Sequence, residues 1–298
     1  MSRQVQGYIY LALAMLTVGS TVVASKLIAS GLPPFSATAL RFAIAFPVLL
    51  LLMWATGARL PRFSRHDRLI LIIQAGAGSV GYTTLLISGL SLTSAADAGV
   101  IIGTLPVVSA AISILLLRER PQRALLLAVA LATAGVLSIA FTPDAAGGAL
   151  SGNALIFLAV VCEGLFILLN KRLKTEIAPL ALSTLMAGIG FIVAAIPAVF
   201  EAPFAHGIST SALGAVVYYA LVPTVGGFLL WYAGAERVSG TEAALFTALA
   251  PVSAVMLAFI ILGEPVGPSQ IAGIACVLAA VLGLAFAGSR SVKLAGGR

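Results

Sequence analysis

The chain has 298 residues, 60% hydrophobic and 9% charged, with a net charge of +7 and a mean hydropathy of +1.12. Soluble domains carry about a quarter of their residues charged, so this chain cannot cover a water-facing surface and its solvent is lipid. Long runs rich in Leu and Ala match the ~20 residues a spanning helix needs and exclude an outer-membrane barrel, whose strands alternate over ~10 residues.

Taken in order, the apolar runs predict ten helices: 6–29, 35–56, 68–91, 95–117, 122–141, 150–171, 179–200, 210–235, 241–262 and 267–288. The first run is as long as a full span and lacks a small-residue cleavage site. It is therefore expected to be a span and not a cleaved signal peptide. Gly, Pro and charge punctuate the rest, in SGLPP at 30–34, RLPRFSRHDR at 59–68, TPDAAGG at 142–148 and EAPFAHG at 201–207. These loops are too short to hold a soluble domain. Cys162 and Cys276 both fall inside apolar runs, where thiols act as small packing groups and a disulfide has no support.

The positive charge sorts by side. With a cytoplasmic N-terminus, fifteen of the seventeen Lys and Arg residues fall on cytoplasmic segments, and only Lys26 and Arg41 do not. The opposite loops carry the acids Asp97, Asp144, Glu201 and Glu264. This is the positive-inside pattern. It makes both termini cytoplasmic and the location the cell inner membrane, with lipid as the surrounding partner. A nucleic-acid surface would gather basic and aromatic residues on one module, and no such module is present.

The chain also repeats itself. At an offset of 145 residues Pro106 meets Pro251, Glu119 meets Glu264, Gly19 meets Gly164, Lys26 meets Lys171 and Pro34 meets Pro179. General similarity among Leu- and Ala-rich helices would not align Pro, Glu and Lys at one gapless offset. The duplication divides the chain into 1–145 and 146–298, five helices each. An odd number sends the second half into the membrane from the opposite side, an inverted repeat. Charge agrees: RLPRFSRHDR holds four arginines, while its counterpart FAHGISTSAL at 204–213 holds none.

The stretches GSTVVASKLIASGLPPFSATALRF, SAADAGVIIGTLPVVSAAISILLLRERP and SGTEAALFTALAPVSAVMLAFIILGEP resemble the motifs of EamA-type proteins in the drug/metabolite transporter superfamily. The resemblance covers nearly the whole chain and occurs twice. It implies an all-α integral membrane protein of ten helices in two inverted repeats, working as a metabolite exporter. The YddG-like exporters of aromatic and other amino acids are the subgroup it points to. Val18 departs from the pattern, where many relatives place a Trp before the Gly.

Polar groups at membrane depth are the candidates for function, because a charge at the bilayer centre costs ~2.5–3.5 kcal/mol on insertion scales. Glu163 lies well inside the sixth predicted helix, with Phe166 and Asn170 on its face. The equivalent face of the first helix presents Thr17, Thr21 and Ser25. The two stripes are expected to line a central cavity, with proton coupling through Glu163 a further reading; the alternatives are a protonated Glu163 hydrogen-bonded to a neighbour or a Glu163 near a cytoplasmic vestibule. Tyr82 and Phe246 add deep aromatic surface, and Trp231 is either a cargo contact or an interfacial belt residue. Lys26 and Arg41 can both snorkel to the outer interface; the alternatives are that Lys26 meets an anionic group of the cargo, such as a carboxylate, and that Arg41 belongs to a site. Gly99 and Gly103 are read as packing positions, and Glu119 and Glu264 as helix-end structural groups.

An intramembrane enzyme is not expected. His66 and His206 fall in loops on opposite sides, the aspartates lie at helix ends, and neither H-E-x-x-H nor a Walker loop is present. No cofactor, metal or catalytic residue is predicted. The expected function is export of small metabolites, above all amino acids, by alternating access. The alternatives are an exporter of drugs or other metabolites, or a membrane scaffold that transports nothing. The candidate binding residues are Thr21, Lys26, Tyr82, Glu163, Trp231 and Phe246.

Overall fold

The computed structural model describes residues 3–117, 123–140, 149–201, 209–238, 246–247 and 249–295. Glu119, Asp144 and His206 lie outside these residues, as does the start of the ninth predicted helix. Among the described residues every regular element is helical. α1 is Arg3–Ala29, α2 Pro34–Ala55, α3 Arg65–Gln74, α4 Tyr82–Leu90, α5 Ala95–Ile102 and α6 Leu105–Leu117. α7 is Arg123–Ala140, α8 Ala149–Lys171 and α9 Pro179–Ala198. α10 is Thr210–Tyr219, α11 Phe228–Ala235, α12 Leu249–Leu262 and α13 Pro268–Ala295. Among the described residues six helical stretches are long and apolar enough to cross a membrane, or seven when α5 and α6 count as one bent span.

Two predicted helices are not uniform. Residues 68–91 form α3 and α4 joined by a π-helical segment, Ala75–Gly81, and residues 210–235 form α10 and α11 joined by another, Ala220–Gly227. The first segment reads AGAGSVG, so small side chains leave its wide turns open to neighbours. The two segments begin 145 residues apart, at Ala75 and Ala220, so the sequence duplication is also a backbone duplication. The fourth predicted helix is broken. α5 ends at Ile102, α6 starts at Leu105, and they meet at 41°. Pro106 therefore sits in the first turn of a new helix, where its missing N–H costs nothing, instead of kinking a continuous one.

Packing interlocks the early and late parts of the chain. α1 lies along α12 and along α10 and α11, while α8 lies along α3, α4, α5 and α6. α2 pairs with α9, and α7 with α13. Small residues make the approach close. A Cβ on Gly19 would stand 2.0 Å from Ser253 Oγ and 2.7 Å from the Ala254 nitrogen. Gly164, at the matching position in α8, faces Ser109 and Ile112 of α6. Gly99 and Gly103 are packing positions too, since a Cβ would strike Val255 at 2.9 Å and Val277 at 2.7 Å respectively. In lipid such contact, and not water exclusion, holds helices together.

Candidate functional site

Five helical stretches bring polar side chains to one level. Arg41 lies about two turns into α2. Its Nε donates to Thr224 Oγ1 at 2.9 Å, and its Nη1 donates to Thr83 Oγ1 at 2.7 Å. Both hydroxyls are pre-oriented. Thr83 donates to the Ser79 carbonyl and Thr224 to the Tyr219 carbonyl, five residues back across the π turn. Their lone pairs are thus left for Arg41. The guanidinium also covers the Tyr219 ring, 4.0 Å from its centroid, and the Phe42 ring at 4.8 Å. Arg41 has not snorkelled to the interface. It joins the third helical stretches of both repeats at their π segments.

Around it stand the predicted residues Thr21, Tyr82 and Glu163. Tyr82 opens α4 directly after the first π segment. Its surroundings include Thr21, Glu163 and Arg41. Glu163 feels the charge of Arg41, yet among the described residues the sole ion pair within 4.0 Å is His66–Asp67. Arg41, Tyr82 and Glu163 are half-buried although helices surround them. They therefore line a space between those helices.

The other candidates are strung along α1. Lys26 is engaged: its Nζ donates to the Leu90 carbonyl at 2.8 Å and to the Thr93 carbonyl at 2.6 Å. A cation there satisfies the open carbonyls at the C-terminus of α4. Toward the N-terminus of α1, Thr17 faces Gly227 and Leu11 faces Gly234, so Trp231 in α11 lies between those two levels. Phe246 stacks on Tyr8, with ring centroids 5.4 Å apart. Tyr8 and Thr21 are ~20 Å apart along the helix axis at 1.5 Å per residue. Thr21, Tyr82 and Glu163 are thus brought together, while Lys26 lies to one side of them and Trp231 and Phe246 to the other.

Phe166 departs from the expected cavity face. Its ring seats on Gly78, where a Cβ would come within 2.3 Å, and its carbonyl accepts from Gln74 Nε2 at 3.2 Å. The π segment offers a bare backbone surface, and an aromatic ring fills it. Acidic residues at helix ends do structural work. Glu264 accepts from the N–H groups of Ala95 and Ala96, Glu201 accepts from those of Phe35 and Ser36, and Asp67 accepts from Lys174 N–H and Thr175 Oγ1. Asp97, bonded by Gln270 Nε2 at 2.8 Å, ties α5 to α13. Among the described residues no group of three His, Cys, Asp or Glu stands close enough to hold a metal.

The model of the EamA-like transporter family matches residues 5–141 and again 150–286. The chain belongs to the EamA-like transporter family. It is similar to the uncharacterized transporter YetK of Bacillus subtilis, 37% identical over 285 residues covering 94% of this chain and 86% of that one. It is also similar to a protein of Streptantibioticus cattleyicolor named as a probable terminal-alkyne amino-acid exporter, 28% identical over 276 residues and 90% of each chain. A solved structure designated "Crystal structure of protein" superposes with a TM-score of 0.63 over 97% of this chain and 98% of that one. At 22% identity that likeness shows the shared fold. As an EamA-family member the protein is a multi-pass helical membrane transporter.

Arg41 is the member of the cluster absent from the six candidate binding residues, since the sequence leaves its position open between the interface and a site. One signal was available. Its position at the 145-residue offset is Met186, and that of Glu163 is Val18. A charge that a duplicated scaffold carries in only one copy is not needed for the scaffold.

Proposed function

We propose that this transporter exports small metabolites, above all amino acids, by alternating access around the cluster of Thr21, Arg41, Tyr82 and Glu163. The cluster carries the reading. It is a set of polar groups inside the bundle, Thr21 buried and the other three half-buried, with opposite charges that no ion pair joins. Unpaired charge in a membrane bundle is expensive, and where it occurs it marks a route for cargo or ions. Trp231 and Phe246 lie along the same helix toward the predicted cytoplasmic end and would flank the entry to that route. Lys26 closes the other end by holding the α4 terminus.

In this reading the chain crosses the inner membrane ten times, as two inverted five-helix repeats over 1–145 and 146–298, with both termini cytoplasmic. The interlocked packing favours moving bundles that draw helices from both repeats. The π segments, each next to the cluster, are natural places for the helices to change direction, since such turns concentrate at functional sites. The amino-acid cargo draws support from the name of the Streptantibioticus relative.

The test is a screen in proteoliposomes, with the purified chain and a panel of amino acids and small metabolites, with and without a pH gradient. Flux above empty vesicles for at least one amino acid is expected. Flux of none of the panel in either direction would favour a scaffold. In the same vesicles Glu163→Gln tests whether the carboxylate also carries protons.

A further inference from the structure

We infer that Arg41 and Glu163 form a reader for a zwitterion, with the carboxylate of a free α-amino acid on Arg41 and its ammonium on Glu163. The inference rests on the transport reading above and names the chemistry its site selects.

A guanidinium presents five N–H donors. Arg41 spends one on Thr224 and one on Thr83, and no other acceptor among the described residues takes the rest. The Tyr219 and Phe42 rings pack against the guanidinium, and its unspent donors lie in its plane, where a carboxylate can be gripped with two parallel hydrogen bonds. Glu163 shows the complementary deficit. It stands on the part of α8 that packs on the first π segment, with Cys162 against Gly81 and Phe166 on Gly78, beside the Thr83 that holds Arg41, but no described donor bonds its carboxylate, and it is not within 4.0 Å of Arg41.

Two opposite charges near each other in a bundle would normally close into a salt bridge. Here closure is blocked from one side. Two oriented threonines and two rings fix Arg41, and moving it toward Glu163 would break those contacts. The gap is held open with an anion site at one edge and a cation site at the other. A ligand with one charge leaves the opposite wall unmet, whereas an α-amino acid satisfies both. Tyr82, the residue before Thr83, is half-buried beside this space. Repetition sharpens the argument. Met186 and Val18 replace the two charges at the matching positions, so the pseudo-symmetric scaffold offers the head group one orientation and not two.

The experiment uses the full purified chain and a matched probe set: L-leucine, leucinamide without the carboxylate, and 4-methylpentanoate without the ammonium. L-Phenylalanine, phenylalaninamide and 3-phenylpropanoate form a second set. Ligand-induced thermal shift in detergent and competition of flux in proteoliposomes are both read. Wild type should favour each amino acid by about tenfold or more over either truncated probe, the size of one lost charge contact. Glu163→Gln should weaken the amino acid by about tenfold while leaving the deaminated acid unchanged, erasing that preference alone. Arg41→Gln should erase only the preference over the amide. If that variant does not fold, Arg41→Lys serves instead, keeping the cation and retaining part of the preference.

Equal weakening of all three probes in a variant, or a preference over the deaminated acid that survives Glu163→Gln, would overturn the assignment. So would Glu163→Gln abolishing only the response to a pH gradient, which would give the carboxylate to protons. Transport of neutral metabolites without any zwitterion would remove this site and leave the carrier. Absence of any flux would remove both.

Discussion

Glu264 and Ala95 are 169 residues apart, yet the Glu264 carboxylate accepts the Ala95 N–H at 3.1 Å, and its second oxygen accepts the Ala96 N–H at 3.0 Å. The first turn of a helix has N–H groups without intrahelical partners and a partial positive charge. Glu264 answers both, and so fixes the end of α12 against the start of α5. Glu264→Ala should cost about 1–2 kcal/mol, and Glu264→Gln less, since one oxygen remains. Thermal unfolding in detergent should show a drop of a few degrees for the alanine variant; no drop would mean that water replaces the cap without loss.

Lys26 makes a second separable prediction. Its two bonds to the Leu90 and Thr93 carbonyls place it at a helix terminus and not in the polar cluster. Lys26→Met should lower stability by about 1.5–3 kcal/mol, the range for hydrogen bonds to a charged group. The apparent KM for cargo should hardly move. A raised KM with unchanged thermal stability would instead put the ammonium on the cargo path.

Two glycines set opposite expectations. At Gly19 an added methyl would meet Ser253 Oγ and the Ala254 backbone, so Gly19→Ala should destabilise by about 1–3 kcal/mol through overpacking. At Gly214 in α10 nothing lies within 4 Å, and Gly214→Ala should be neutral or stabilise by about 0.4–1 kcal/mol through reduced freedom of the unfolded chain. Paired melting curves check both signs. Equal effects would show that helix propensity, not contact, governs α1.

Asp67 holds the segment after α8 to the start of α3 through Lys174 N–H at 3.1 Å and Thr175 Oγ1 at 2.7 Å. Asp67→Asn keeps an acceptor but removes the charge. Amide exchange at Leu173–Ile177 should accelerate by about tenfold, the change expected for one such contact near 1.4 kcal/mol. Unchanged protection there would assign the order of that segment to its neighbours.

Much of this was legible in the chain itself. Composition and run length mark a helical membrane protein, and the gapless match of Pro106 with Pro251 and Gly19 with Gly164 points to a repeated scaffold. Glu163, Tyr82 and Thr21 stood out as polar groups at depth, and they meet. The π segments were not legible. Their residues continue an apolar helical pattern, and the extra residue per turn comes from tertiary packing, with Phe166 filling the space over Gly78. Arg41 stayed undecided because distance from a predicted helix end measures depth poorly when a side chain can bond inward. Only the partners, Thr83 and Thr224, decide which way it turns, and they come from helices far along the chain. Lys26 looked equally deep and was answered by carbonyls that no side-chain pattern reveals.

The interlock between α1 and α12 also dictates a timetable. The notch at Gly19 is filled by Ser253, which leaves the ribosome more than two hundred residues later. At synthesis rates of ~5–20 residues per second, that delay is on the order of 10–50 s. For that time the first helix stands in the bilayer with its tightest contact surface facing lipid. A chain stopped before α12 would therefore lack the neighbour of its first helix, not merely its last spans. Losses at the C-terminal end should be felt at the N-terminal end.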